Sequence, residues 1–227
     1  MGFFVTAGSP TNLTKYRTPY SFTLPTNPDT GSPYMKRDVV GMGTDGDANL
    51  HFVWYKNYKY SAGISHDLSS IRSPNTHTYT LPINPQTESP YLPSDIVGMA
   101  IDGENNTVYA WYKNSYASAG SPNNLGSKRD PYHYALAINP RNGKEFKPAH
   151  IRAIVIDGGI NRTIVFYKYR YVSEGRTDDL DYFTSKGNGS YCATKLPAVN
   201  VNPKHFIGAG LDYTNGYVFI WSKGPDN

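Results

Sequence analysis

The chain of 227 residues has a single cysteine, Cys192, which excludes a disulfide within it. No His or basic helix start flanks that thiol, so it reads as a small, inert, partly buried side chain. No apolar run is long enough to cross a membrane as a helix, so no membrane span is expected. The opening MGFFVTAGSP lacks the basic start and apolar length of a secretion signal. The expectation is a cytoplasmic protein, or one exported without such a signal. Lys and Arg (22) exceed Asp and Glu (18) only slightly, giving a net charge of +4. They are spread along the chain without the clustered stripe of a nucleic-acid binder, so no nucleic-acid partner is expected. Gly-x-Ser-x-Gly, His-Glu-x-x-His and a phosphate-binding glycine loop are all missing, and a non-enzyme is expected.

Helix-length amphipathic stretches are missing as well, whereas Gly (21), Pro (17) and Tyr (20) are plentiful, an all-β composition. What the chain has is a repeat. Residues 38–63 read DVVGMGTDGDANLHFVWYKNYKYSAG and residues 95–120 read DIVGMAIDGENNTVYAWYKNSYASAG. A third copy spans 150–175 and a fourth runs from 205 to 227. Asp45, Asp102, Asp157 and Asp212 lie 57, 55 and 55 apart, and so do Lys56, Lys113, Lys168 and Lys223. Units of about 55 residues with several short strands each predict the blades of a propeller.

The first strand of each unit keeps one face small (Gly41, Gly98, Ala153, Gly208) and the other large (Met42, Met99, Ile154), as needed where blades interdigitate around an axis. Trp54, Trp111, Phe166 and Trp221 are equivalent and read as core between sheets. DGDAN, DGENN, DGGIN and DYTNG read as hairpin turns. HTYTLP, after a loop, reads as the fourth strand. Gly8 stands 55 before Gly63, so the N-terminal segment should supply the outer strands of a blade whose inner strands come from 205–223. The prediction is a single domain, residues 1–227, all-β, a four-bladed β-propeller of about 55 residues per blade.

The Asp-led inner strand (Asp38, Asp95), the aromatic strand ending in Tyr-Lys-Asn (Tyr55 to Asn57, Tyr112 to Asn114) and the Tyr strand that follows resemble the hemopexin-like four-bladed propellers. That resemblance implies the fold and a central channel of the kind known to hold ions.

Two sets of residues carry functional expectations. NLTKYRTPY (12–20), DLSSIRSPN (67–75) and NLGSKRDPY (124–132) are read as linkers after the third strand. The fourth copy, DLDYFTSKG (179–187), loses the Arg and Pro. Asn12, Arg17, Tyr20, Asp67, Arg72, Asn124, Arg129 and Tyr132 combine planar donors and acceptors with an aromatic face, the kit for holding a sugar. Repeated shallow glycan sites at or between blades, as in propeller lectins, would add avidity, with glycans or glycoconjugates as partners. The same residues also suit a structural reading: an Asx turn, a Leu anchor, and Arg pairing with a neighbouring carboxylate. The second set is Asp38, Asp95, His150 and His205, a ring at one level that suits a divalent metal ion in the central channel. Arg152 is expected to pair with one of these carboxylates. A metal ion, polyamine or haem in the channel is the alternative to a lectin, and a protein-interaction scaffold the third reading; a homodimer stays open. Asn-X-Ser/Thr sequons occur at Asn12, Asn105, Asn161 and Asn188.

Overall fold

In the computed structural model, residues 3–9, 12–168, 171–185, 203–212 and 214–223 are described; Cys192 and the sequon at Asn188 lie outside them. The chain opens with β1 (Phe3–Ser9) and β2 (Asn12–Ser21). A sheet of β3 (Val39–Asp45), β4 (Leu50–Tyr55), β5 (Tyr60–Ile64) and β6 (Asp67–Arg72) follows, then one of β7 (Ile96–Asp102), β8 (Thr107–Tyr112), β9 (Tyr116–Ser121) and β10 (Asn124–His133). A small hairpin of β11 (Ile138–Asn139) and β12 (Lys144–Glu145) precedes β13 (Ile151–Asp157), β14 (Arg162–Tyr167) and β15 (Val172–Gly175). The chain returns through β16 (Phe206–Asp212) and β17 (Tyr217–Lys223). The last two strands join the first two in the order β16-β17-β1-β2. Phe3 pairs with Lys223 and Gly8 with Val218 in an antiparallel register. Four sheets result, a four-bladed β-propeller whose first blade is shared by the two ends of the described chain. Among the described residues no helix is long and apolar enough to cross a membrane.

The small-face pattern of the inner strands has a steric cause. β3 lies against β7 and β16, and β13 against β7 and β16, so the four inner strands close a ring. A methyl group on Gly41 would overlap Met99, one on Gly98 would overlap Ile154, and one on Gly208 would overlap Met42. In three blades the bare backbone receives the next blade's large side chain, and in the fourth the small Ala153 stands there, which is how dense packing is reached near the axis. Glycine's weakening of a strand is offset there by the contact it admits.

The aromatic second strand works between blades. Trp54, Trp111 and Trp221 are fully buried. Their indole N–H groups donate to the carbonyls of Pro122 (2.9 Å), Thr177 (3.1 Å) and Ser65 (3.0 Å), equivalent positions in the turn of the following blade. Burying an indole requires a partner for its N–H, and here the partner is the neighbouring blade. Beside it, Tyr55 shares a buried hydrogen bond with Ser61 and Tyr112 with Ser118. Tyr34 stacks on Tyr55 at 3.7 Å and Tyr91 on Tyr112 at 3.8 Å. The hairpin turns close with Asn49, Asn106, Asn161 and Gly216 in the left-handed region. Asp45, Asp102 and Asp212 accept the amide N–H three residues on, as turn residues do.

Two expectations about strands are corrected. The segments read as linkers are themselves the fourth strands: NLTKYRTPY lies in β2, DLSSIR is β6 and NLGSKRDPY lies in β10. HTYTLP is an inter-blade connection that makes only isolated bridges, such as Thr80 to Asn124. An outer edge strand faces water and tolerates Pro19 and Pro131, so its sequence is as polar as a loop's. In the fourth blade the described residues form three strands, and residues 182–185 turn into a short helix.

Candidate functional site

The upper face, defined as the one on which β3, β7, β13 and β16 begin, gathers the residues that the sequence spaces furthest apart. The amide N–H of Lys56 donates to the carbonyl of Asp38 and that of Lys113 to the carbonyl of Asp95, which seats both lysines beside the start of an inner strand. Lys168 and Lys223 hold the same register in the other two blades. Lys36 adds a bond from its ammonium to the carbonyl of Lys204 across the seam between the first and second blades. The hairpin turns of the lower face carry Asp45, Asp47, Asp102, Glu104, Asp157 and Asp212. The repeated lysines are thus brought to one face, beside Asp38 and Asp95, and the Asp-led hairpin turns to the other, beside Lys128 and Arg162.

Asp38, Asp95, His150 and His205 stand at the starts of the inner strands. Asp38 accepts the amide N–H of Met35 at 2.8 Å, Asp95 that of Leu92 at 2.9 Å, and His150 that of Lys147 at 3.2 Å. Each closes a short 3-10 turn that aims the chain into its blade. His205 ends the matching turn. Among the described residues no three His, Cys, Asp or Glu side chains gather in a way that suits a metal ion. A cationic neighbourhood also acts on His150: burial, then Lys168, Arg152 and Lys147, lower its pKa. Arg152 donates to the carbonyls of Ala149 and Ile151.

On the outer strands, the side chains of Asp67 and Asn124 accept the amide N–H groups of Ser69 and Gly126, forming Asx turns. The amide N–H of Asn12 donates to Ser9 Oγ. Leu13, Leu68 and Leu125 are buried anchors. The guanidinium of Arg17 lies 3.8 Å over the Tyr20 ring, and that of Arg129 lies 3.6 Å over Tyr132. In the second blade Asn75 stands where the tyrosine would be, and Arg72 turns to Phe52 at 5.4 Å. Tyr20 shares a hydrogen bond with Ser65 of the next blade. Tyr132 is enclosed beside Thr177, its hydroxyl without a bond of good geometry and pushed by burial up to about 12. The three sets therefore share a backbone register without presenting three equal binding surfaces. The fourth blade rebuilds the stack from residues the repeat did not mark, with Arg176 over Tyr182 at 3.8 Å.

Cavities lie along the connections between blades. One of about 750 Å³ opens on the upper face between the first and second blades, and a smaller one of about 400 Å³ lies between the connection into the third blade and Lys113 and Asn114. A third, polar hollow of about 620 Å³ lies between the Asn27 turn and the end of β6, with Ser69, Ser73 and Asn75 on its wall. Local sequence gave no hint of these cavities; the register of the lysines, read together with closure of the ring, was the available signal.

Fold and seams together define a class, the four-bladed β-propellers. No protein-family model matches the chain, and no curated protein matches it. Among solved structures, one described as "Structure of U3-55K" is similar with a TM-score of 0.36 and 12% identity, over 78% of this chain and 43% of that one. The chain thus spans less than half the length of that structure.

Proposed function

We propose that this chain is a non-enzymatic binding scaffold whose upper face docks an acidic partner. The reading is carried by one observation: a lysine at the same position of every blade, Lys56, Lys113, Lys168 and Lys223, on the face where the inner strands begin. A rigid ring of like charges gives orientation and fast encounter with an oppositely charged surface more than tight binding. The structural use of Asp38, Asp95 and His150 as turn caps fits a face built for docking. The test is retention on immobilised poly-glutamate at low salt. Wild-type protein should be retained and elute as salt rises, and a variant with all four lysines changed to Glu should flow through. Equal retention of both proteins would sink the proposal.

Glycan binding is a second reading, favoured by the polar hollow at Ser69, Ser73 and Asn75, whose hydroxyl and amide groups are suited to sugar hydroxyls. On a glycan array, a signal that vanishes on Ser69→Ala with Asn75→Ala would support it. A signal that instead falls when Arg17, Arg72 and Arg129 are replaced together would locate sugars on the outer strands.

A further inference from the structure

We infer that the seam between the first and second blades is a site for a small amphipathic anion, an apolar body carrying one carboxylate or sulfonate. The inference goes beyond the docking of a macromolecule and stands without it. The cavity there, about 750 Å³, is within the size range of small-molecule sites. Its walls are contributed by both blades: Phe3 from the start of β1, Val39 from the start of β3, and Tyr34 and Met35 from the connection between them. Tyr34 is a rigid wall, because its ring is stacked on Tyr55 and its hydroxyl donates to Asn57 at 3.1 Å. Met35 is half exposed and can close over an occupant, a use to which its flexible thioether is suited.

The polar side of this cavity has one sign. Arg37 and Lys56 line it from the second blade, and Lys223 from the first. An apolar interior with cations at its edge selects a ligand that is greasy over most of its length and negative at one end.

The equivalent connection, the one leading into the third blade, provides an internal control. Tyr91, Leu92 and Lys113 repeat Tyr34, Met35 and Lys56 there, but Pro93 and Ser94 replace Lys36 and Arg37, Asp95 joins the wall, and the hollow is about 400 Å³ with Asn84, Thr87 and Asn114 around it. An apolar wall recurs in both places, and the concentrated positive charge belongs to the first.

Two fluorescent probes of similar body separate the contributions: anilinonaphthalene sulfonate, which is anionic, and N-phenyl-1-naphthylamine, which is neutral. The intact protein should bind the anionic dye with a micromolar Kd and the neutral dye roughly 10-fold more weakly, the ratio expected for about one charge-assisted contact. Arg37→Glu with Lys56→Glu should erase the preference for the anion and leave the neutral dye unchanged. Val39→Trp should block both dyes by filling the cavity, and Met35→Asp serves the same end should the tryptophan variant fail to fold. Lys113→Glu should change neither. The inference is overturned if the two dyes bind alike, if neither binds, or if cavity filling leaves the anion bound. Retention on phosphatidylglycerol vesicles with no uptake of free dye would equally overturn it, in favour of a lipid surface.

Discussion

The second and third blades are built from nearly the same sentence, and they differ where they meet their neighbours. In both, a Trp bonds the next blade, a Tyr–Ser pair is buried, and a second Tyr stacks above it. Yet where the third blade has Ile101 and Val108, the second has Thr44 and His51, hydrogen-bonded at 2.9 Å and wedged edge-on against Phe219 and Trp221 of the first blade. The third blade stacks Arg129 on Tyr132, and the second has no tyrosine for Arg72. The Trp bond across the seam recurs with the Tyr pairs inside the blade, while the other positions of a seam can vary, because each seam needs only to match the single neighbour it faces.

The strongest way to test the common part is to remove it twice. Trp54→Ala and Trp111→Ala should each destabilise by about 3 to 5 kcal/mol in urea unfolding, since each deletes a buried indole and strands a carbonyl in the next blade. Costs that differ widely between the two would mean that this shared Trp contact is not equivalent in the two blades.

The polar seam supplies the next effect. Burial of His51 lowers its pKa from 6.5 to about 4. Between those values the unfolded chain binds the proton and the folded one does not, so stability is fully present above pH 6.5. It is lost as pH falls toward 4, by about 3 kcal/mol from this group. Transplanting the third blade's pair, Thr44→Ile with His51→Val, should flatten that part of the pH–stability profile; an unchanged slope would assign the acid sensitivity elsewhere. The smallest effect comes from the edge. Asn75→Tyr should draw Arg72 out over the new ring and add about 0.5 kcal/mol, the worth of an exposed cation–π pair. No gain in the unfolding midpoint would show that the outer-strand stacks are ornaments of the repeat.

Much of this architecture could be read from the residues. The matched offsets of Asp45 and Lys56 with their copies gave the number of blades, and Gly8 against Gly63 gave the sharing of a blade between distant segments. Gly41, Gly98 and Gly208 announced the crowded axis, because only close approach makes glycine useful in the middle of a strand. The fourth strands were hidden, since DLSSIR and NLGSKR face water and obey no apolar alternation. Of the candidate site, the place of Asp38 and His150 at the starts of inner strands was legible; that each side chain accepts the amide N–H three residues back was not, because that bond is made by the local turn. Charge scattered along the sequence also concealed its own order: lysines about 55 residues apart look random until a ring closes and sets them side by side.

The pairing of β1 with β17 makes the most distant parts of the sequence depend on each other, with Phe4 opposite Ser222. Hairpins within the second and third blades can zip up locally as soon as their residues are available, but the first blade has to wait for the whole length in between, so assembly has an obligatory final step. Until that step, β17 offers bare amides and carbonyls that another copy's opening strand fits as well as its own. Crowded refolding would therefore be expected to yield interlocked pairs exchanging that one strand, and dilution to yield single rings.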